Sequence, residues 1–278
     1  MKEKPNFLKG QFMSSEKTKP TAFIFAGING AGKSTLYYDE LLKNKYFGTR
    51  INTDEFVSSF GSWKNPNDQF KAAKIALKVR QNCIQMSANF NQETTLCGKS
   101  ILNLFKELKN KDYEIQLYYV GVNTPQIAKE RVRARVAKGG HNIDERIIDK
   151  RFDESLRNLS KVFKFCDKIV LFDNTKLYKK IFKYDKTTHC LENFITPNVK
   201  WLDDKILLAC ENCVYINNLN KKISYYQDKE SVLLPEPKQR LQNEILKDYE
   251  SVIKRGLKID EKSLKIIETI QKSHSKTK

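Results

Sequence analysis

A glycine loop, Gly27-Ile28-Asn29-Gly30-Ala31-Gly32-Lys33-Ser34-Thr35, follows directly on the apolar run Thr21-Ala22-Phe23-Ile24-Phe25-Ala26. The loop matches G-x-x-x-x-G-K-[ST]. The run before it reads as a buried strand and the stretch from Lys33 as a helix, which is the context such a loop requires. Glycines let the backbone curl so that its N–H groups point inward at phosphate oxygens, and the helix start adds partial positive charge. In that arrangement Lys33 reaches the β- and γ-phosphates and the Ser34 hydroxyl ligates Mg²⁺. ATP with magnesium is therefore the expected ligand. Its expected contacts here are Gly27, Asn29, Gly30, Ala31, Gly32, Lys33, Ser34 and Thr35.

Strand-like and helical stretches then alternate. Arg50-Ile51-Asn52-Thr53-Asp54 reads as a second strand ending in an acid, and 68–88 as a helix. Asn89-Phe90-Asn91-Gln92-Glu93-Thr94-Thr95 reads as a third strand, again with a polar end. A helix near 98–110, a strand over 113–122 and a helix opening at Thr124-Pro125 come next. Residues 144–164 carry a helical apolar stripe, and Ile169-Val170-Leu171-Phe172 closes the pattern as a fifth strand. This alternation predicts an α/β fold with a five-stranded parallel sheet flanked by helices. Such sheets bind ligands beyond the carboxyl ends of their strands, where the glycine loop, Asp54 and Glu93 fall.

Past about residue 176 the pattern changes. Residues 199–227 read as short strands turning at Asn217-Asn218-Leu219-Asn220, and 238–273 as two helices broken near Gly256. The expected organisation is a flexible arm at 1–20, a catalytic domain at 21–176, a small α+β subdomain at 177–273 and a disordered tail at 274–278. Residues 1–20 are polar and Lys-rich, with no apolar signal-peptide core, and no apolar run is long enough to span a membrane. Six dispersed cysteines read as reduced thiols, so a cytoplasmic protein is expected. The formal net charge of +18 comes from Lys and Arg spread along the whole chain. That favours anionic small molecules over a nucleic-acid partner. Cys210-Glu211-Asn212-Cys213 is a lone C-x-x-C on what reads as a strand, a weak sign of zinc beside the simpler reading of buried cysteines.

A kinase needs a carboxylate near the acceptor hydroxyl, to orient it and take its proton, and Asp54 is placed for that. The alternative is a cap on a helix starting at Glu55. Glu93, Thr94 and Thr95 suit hydrogen bonds to a polar acceptor, with Glu93 acting on Mg²⁺ through water as a second option and an ordinary polar strand end as the third. Arg131 and Arg135 share a helix face, and Arg151 lies beyond Gly139-Gly140-His141. Two basic helices about a glycine hinge suit a lid whose guanidinium groups neutralise a transferring phosphoryl group. A solvated face is the alternative for each Arg, and His141 reads as a cap or packing residue.

At these positions the chain resembles the zeta-toxin-like P-loop kinases, in the branch often labelled ABC-type ATPases. The resemblance covers residues 21–175. It rests on the glycine loop, Asn52-Thr53-Asp54, Glu93-Thr94-Thr95, the stretches 131–141 and 151–159, and Asp173-Asn174-Thr175. It implies Asp54 as the catalytic acid, with Lys33 at the phosphates, and Glu93 and Thr95 binding the acceptor. It also implies that Arg131, Arg135 and Arg151 grip phosphates and that Asn174 lies near the adenine. Known relatives are toxins of toxin–antitoxin pairs that phosphorylate a sugar hydroxyl of UDP-N-acetylglucosamine. Two positions depart from the pattern: Cys97 stands where an arginine is usual, with Lys99 beyond it, and Asp144 where proline is usual.

The resulting expectation is an ATP-dependent phosphotransferase with an alcohol acceptor and an Arg-rich helical lid. An antitoxin would be a further partner. The alternatives are a kinase for another metabolite, a nucleotide or a nucleic-acid end, and a non-catalytic nucleotide-binding interaction module.

Overall fold

The computed structural model describes residues 19–275. The arm expected at 1–20 therefore lies outside the described residues except for its last two positions, and the tail expected at 274–278 except for its first two.

Strand β1 (Thr21–Ala26) is buried on both faces, so it needs no polar alternation. Ala22, Ile24 and Ala26 face one apolar layer, while Phe25 enters the other with Tyr37, Phe47 and Tyr118. The strands β2 (Thr49–Ile51), β3 (Phe90–Thr94), β4 (Glu114–Gly121) and β5 (Lys168–Asp173) join it in the order β2-β3-β1-β4-β5, all parallel. The helices α1 (Lys33–Leu42), α2 (Thr53–Phe60), α3 (Pro66–Gln85), α4 (Lys99–Asn110), α5 (Pro125–Ala137) and α6 (Glu145–Val162) connect them. The chain leaves β1 toward β2 and β3 on one side and later returns to β4 on the other. That reversal opens a crevice at the carboxyl ends of the strands.

The α/β architecture is as expected, but the sheet has seven strands rather than five. β6 (Lys179–Asp185) pairs antiparallel with β5, and β7 (Cys190–Asn193) pairs antiparallel with β6. The strands after residue 176 thus extend the main sheet instead of starting an α+β unit, and the elements after β7 are helices. The short strands expected over 199–227 are replaced by one helix, α7 (Asp204–Lys229). Its start is set by Asp203, whose side chain accepts from Ile206 N–H at 2.8 Å. Its buried face, Ile206, Cys210, Cys213, Asn217, Asn220 and Ile223, repeats at helical spacing. Asn217 and Asn220, read as a turn, lie buried on that face. Cys210 and Cys213 sit one turn apart on the same helix, both buried, with burial raising both thiol pKa values.

The first half of α7 packs on the sheet and its second half forms a separate apolar cluster with α8 (Pro235–Lys254) and α9 (Glu261–Ser275). Gly256, at φ 66°, sits where α8 ends. Trp201, just before α7, packs on the sheet. It is 2% exposed, its ring lies 5.5 Å from that of Tyr119, and its indole N–H donates to Asp173 Oδ1 at 3.0 Å. Among the described residues no helix is long and apolar enough to cross a membrane.

Trp201→Ala removes a large buried ring and leaves the Asp173 oxygen without that donor. The expected loss is about 3–5 kcal/mol of stability, read from urea unfolding. Trp201→Phe, which keeps most of the ring, should lose less.

Candidate active site

The crevice is a cavity of about 1030 Å³ at the start of α1. Its floor is the glycine loop. Gly30, at φ 80°, comes so close to Ala128 that any Cβ would run into the Ala128 carbonyl, and Gly32, at φ 106°, lies against the Asn174 amide. Lys33 donates to the Ile28 carbonyl at 3.1 Å, inside its own loop. Burial lowers the Lys33 pKa, Glu93 and Asp54 act against this, and Arg135 and Arg151 reinforce it.

Of the expected loop contacts, Asn29, Gly30, Gly32, Lys33, Ser34 and Thr35 line the cavity. Gly27 and Ala31 do not. Gly27 N–H donates to Thr94 O at 3.2 Å, beneath the loop. Ala31 is fully buried, and its carbonyl accepts from the Asn174 amide at 2.8 Å. These two shape the loop rather than its surface.

Asp54, Glu93 and Thr95 also line the cavity. Asp54 is neither a strand end nor a cap. β2 stops at Ile51, Asn52 caps α2 by accepting from Asp54 N–H at 2.9 Å, and Asp54 sits in the first helical turn. Among the described residues no hydrogen bond or ion pair holds the Asp54 carboxylate. Glu93 differs: one oxygen accepts from Ser34 Oγ at 3.0 Å and the other is gripped by Arg50. Cys97 and Lys99 do not line the cavity. The Cys97 thiol turns to the carbonyls of Thr95 and Arg151, and burial raises its pKa.

Arg131, Arg135 and Arg151 face the cavity from α5 and α6. Arg151 donates to the Asn29 side chain at 2.6 Å, Arg131 to Asn174 O at 2.7 Å and Arg135 to His141 O at 2.7 Å. Arg131 Nη1 and Arg135 Nε are buried without an acceptor. Together the guanidinium groups put three positive charges around the cavity, which suits an anionic ligand. Asp144 caps α6 by accepting from Arg146 N–H at 2.8 Å, which accounts for a capping residue where proline is usual. Ser34 and Glu93 present hard oxygens side by side, as Mg²⁺ prefers when nucleotide phosphates complete its shell. No cluster of three His, Cys, Asp or Glu able to hold a metal by itself gathers among the described residues.

The sequence reading missed Arg50, Trp63 and Tyr178. Arg50 was visible as a charge inside a short strand. Tyr178 lines the cavity beside Asn174, its hydroxyl buried without a partner. Trp63, between α2 and α3, stacks on His141 across the cavity mouth, with ring centres 3.9 Å apart. The stack ties the helix bearing Asp54 to the loop held by Arg135.

Burial lowers the His141 pKa below its ordinary 6.5, Asp54 opposes this, and Arg135 and Arg151 add to it. The ring is therefore neutral at physiological pH and charges only in acid. Protonation should quench Trp63 emission, since an imidazolium in contact with an indole accepts its excited electron. A fluorescence titration from about pH 8 to about pH 4 should show one quenching step with its midpoint below 6.5. Trp63→Phe, leaving only Trp201, should abolish the step.

Comparison with known proteins agrees with this architecture. The zeta toxin family profile matches residues 5–191. An uncharacterised protein of Haemophilus influenzae is 30% identical over 131 residues, covering 47% of this chain and 91% of that protein. The crystal structure of AvrRxo1-ORF1:AvrRxo1-ORF2 with sulphate ions superposes with a TM-score of 0.53 at 12% identity, over 84% of this chain and 77% of that one. The structure of AvrRxo1-ORF1:-ORF2 with ATP gives 0.52 at 15% identity, over 64% of this chain and 62% of that one. The chain thus spans under two thirds of the length of the latter. At these identities the superpositions show a shared fold, α/β with a mostly parallel central sheet flanked by helices. The family profile covers well over half of the residues, and the chain belongs to the zeta toxin family.

Proposed function

We propose that this protein transfers the γ-phosphoryl group of ATP, with Mg²⁺, to a hydroxyl of a small polar acceptor. The observation that carries this reading is the convergence of Lys33, Asp54, Glu93, Arg135 and Arg151 on one cavity at the carboxyl ends of β1 to β3. A module that only bound nucleotide would need no free carboxylate opposite its phosphate loop.

Each residue has a distinct task. Lys33 and the loop N–H groups would cradle the phosphates, and Ser34 would hold a magnesium ion, which would supply charge neutralisation there. Arg135 and Arg151 neutralise charge growing on the transferring group, and Arg131 with Asn174 borders the nucleotide side. Asp54, free of other partners, orients the acceptor hydroxyl and takes its proton. Glu93 is engaged on both oxygens, which suits holding rather than proton transfer, and Thr95 offers a hydroxyl beside it.

A nucleotide sugar, UDP-N-acetylglucosamine, is the favoured acceptor, and toxicity held in check by an antitoxin is the physiological setting this family suggests. A second reading, another hydroxyl-bearing metabolite, is favoured by Cys97, whose thiol points away from the cavity where the family has an arginine. An ATP-dependent assay on UDP-N-acetylglucosamine decides between them. Phosphorylation supports the first acceptor, and ATP binding without it supports the second.

Lys33→Ala should fold and lose phosphoryl transfer by about 10³-fold, because the lost charge acts where negative charge is densest. Asp54→Asn should keep ATP affinity and lower turnover by about 10²–10⁴-fold, since an amide takes no proton. Asn52, not Asp54, caps α2, so unchanged turnover would remove Asp54 from the chemistry.

Phosphates arriving at Lys33 favour its charged form and raise its depressed pKa. Nucleotide binding should therefore take up protons at alkaline pH and weaken as pH rises further. Calorimetry at about pH 9 in two buffers of different ionisation enthalpy measures the uptake. Lys33→Met should show none.

A further inference from the structure

Arg50 lies on β2 opposite Asn91 of β3, and Glu93 is two residues further along the same face of β3. The Arg50 side chain is only 16% exposed and that of Glu93 only 9%. Its guanidinium is held on every side. Nη1 donates to Asn91 Oδ1 at 3.0 Å, while Nη2 donates to Glu55 at 2.8 Å and also to Glu93 Oε1. Nε donates to Glu55 at 3.2 Å, and the flat face lies 3.6 Å from the centre of the Tyr37 ring. Asn91 is itself buried and anchored by donating to the Phe47 carbonyl at 3.2 Å. A chain of contacts thus runs from the core, through Arg50 and Glu93, to Ser34 Oγ.

A glutamate carboxylate turns almost freely about its last bond. Arg50 removes that freedom by fixing one oxygen, which leaves the other aimed at Ser34. Without Arg50, Glu93 would still feel the positive charge of Lys33, whose ionisation it already influences. The carboxylate would then turn toward Lys33 and compete with phosphate for it. A lysine in place of Arg50 could not reproduce the planar fork or its stacking on Tyr37.

Resting on the kinase reading above, we propose that Arg50 is a positioning residue. It holds Glu93 against Ser34, and so sets the pair of oxygens through which Mg²⁺ strengthens nucleotide binding. If Arg50 were only a stabilising ion pair, its removal would lower thermal stability and leave the effect of magnesium on ATP affinity unchanged.

The test is calorimetric ATP binding, with and without Mg²⁺, on the full chain and on Arg50→Gln, Arg50→Lys, Glu93→Gln and the double variant Arg50→Gln/Glu93→Gln. In Arg50→Gln the strengthening by Mg²⁺ should shrink about tenfold (~1.4 kcal/mol). Arg50→Lys, which keeps the charge and guards against a folding failure, should fall between this and the wild type. The double variant should lose no more than Glu93→Gln alone, because Arg50 acts through Glu93. An unchanged magnesium effect in Arg50→Gln and Arg50→Lys, or additive losses in the double variant, would overturn the proposal. Absence of ATP binding by the wild-type chain would instead overturn the kinase reading on which it rests.

Discussion

β1 lies between β3 and β4 with apolar side chains packed on both faces, and its last residue delivers the chain into the glycine loop. The burial of this strand fixes the loop to a rigid base. Everything else in the cavity is placed relative to it. β3 and β4 are hydrogen-bonded to β1, so Glu93 and Thr95 emerge beside the loop at a set height, and Gly27 is tied to Thr94 directly. A crevice at the reversal of strand order is then a consequence of topology, and the side chains decide what it holds.

Charge is arranged unevenly in that crevice. Among the carboxylates, Glu93 and Glu55 share Arg50, while Asp54 stays free. On the phosphate side, Lys33 loses part of its preference for a proton through burial and the neighbouring Arg135 and Arg151. Arg131 and Arg135 line the same space, each with one buried nitrogen that lacks an acceptor. The cations thus favour phosphate and the free carboxylate favours a hydroxyl, which is the division of labour a phosphoryl transfer requires.

The helices beyond the sheet show where local signals mislead. The stretch from Asp204 to Lys229 is rich in apolar and aromatic residues, and its Asn217 and Asn220 look like turn formers. It is helical because Asp203 caps it and because one face meets the sheet and then α8 and α9. β6 and β7 likewise joined the main sheet because β5 offered an open edge, which no local pattern announces.

Local chemistry written into consecutive residues was legible from the sequence alone. The strand–loop–helix of the phosphate cradle, the alternation of five parallel strands with helices, and the basic helices flanking Gly139 and Gly140 could all be read there. So could the placement of Lys33, Asp54, Glu93, Arg135 and Arg151 around one crevice, since strand ends and the helices after β4 meet there. Contacts between distant segments were decided only in three dimensions. Arg50 met Glu93 because β2 pairs with β3 in one register. Trp63 met His141 because the α2–α3 and α5–α6 loops border the same cavity. Cys97 turned from the cavity because the carbonyls of Thr95 and Arg151 lay within reach of its thiol. Propensity and motif act over a few residues, whereas these pairings depend on how elements pack across tens of residues, and that is where the sequence pattern carries no signal.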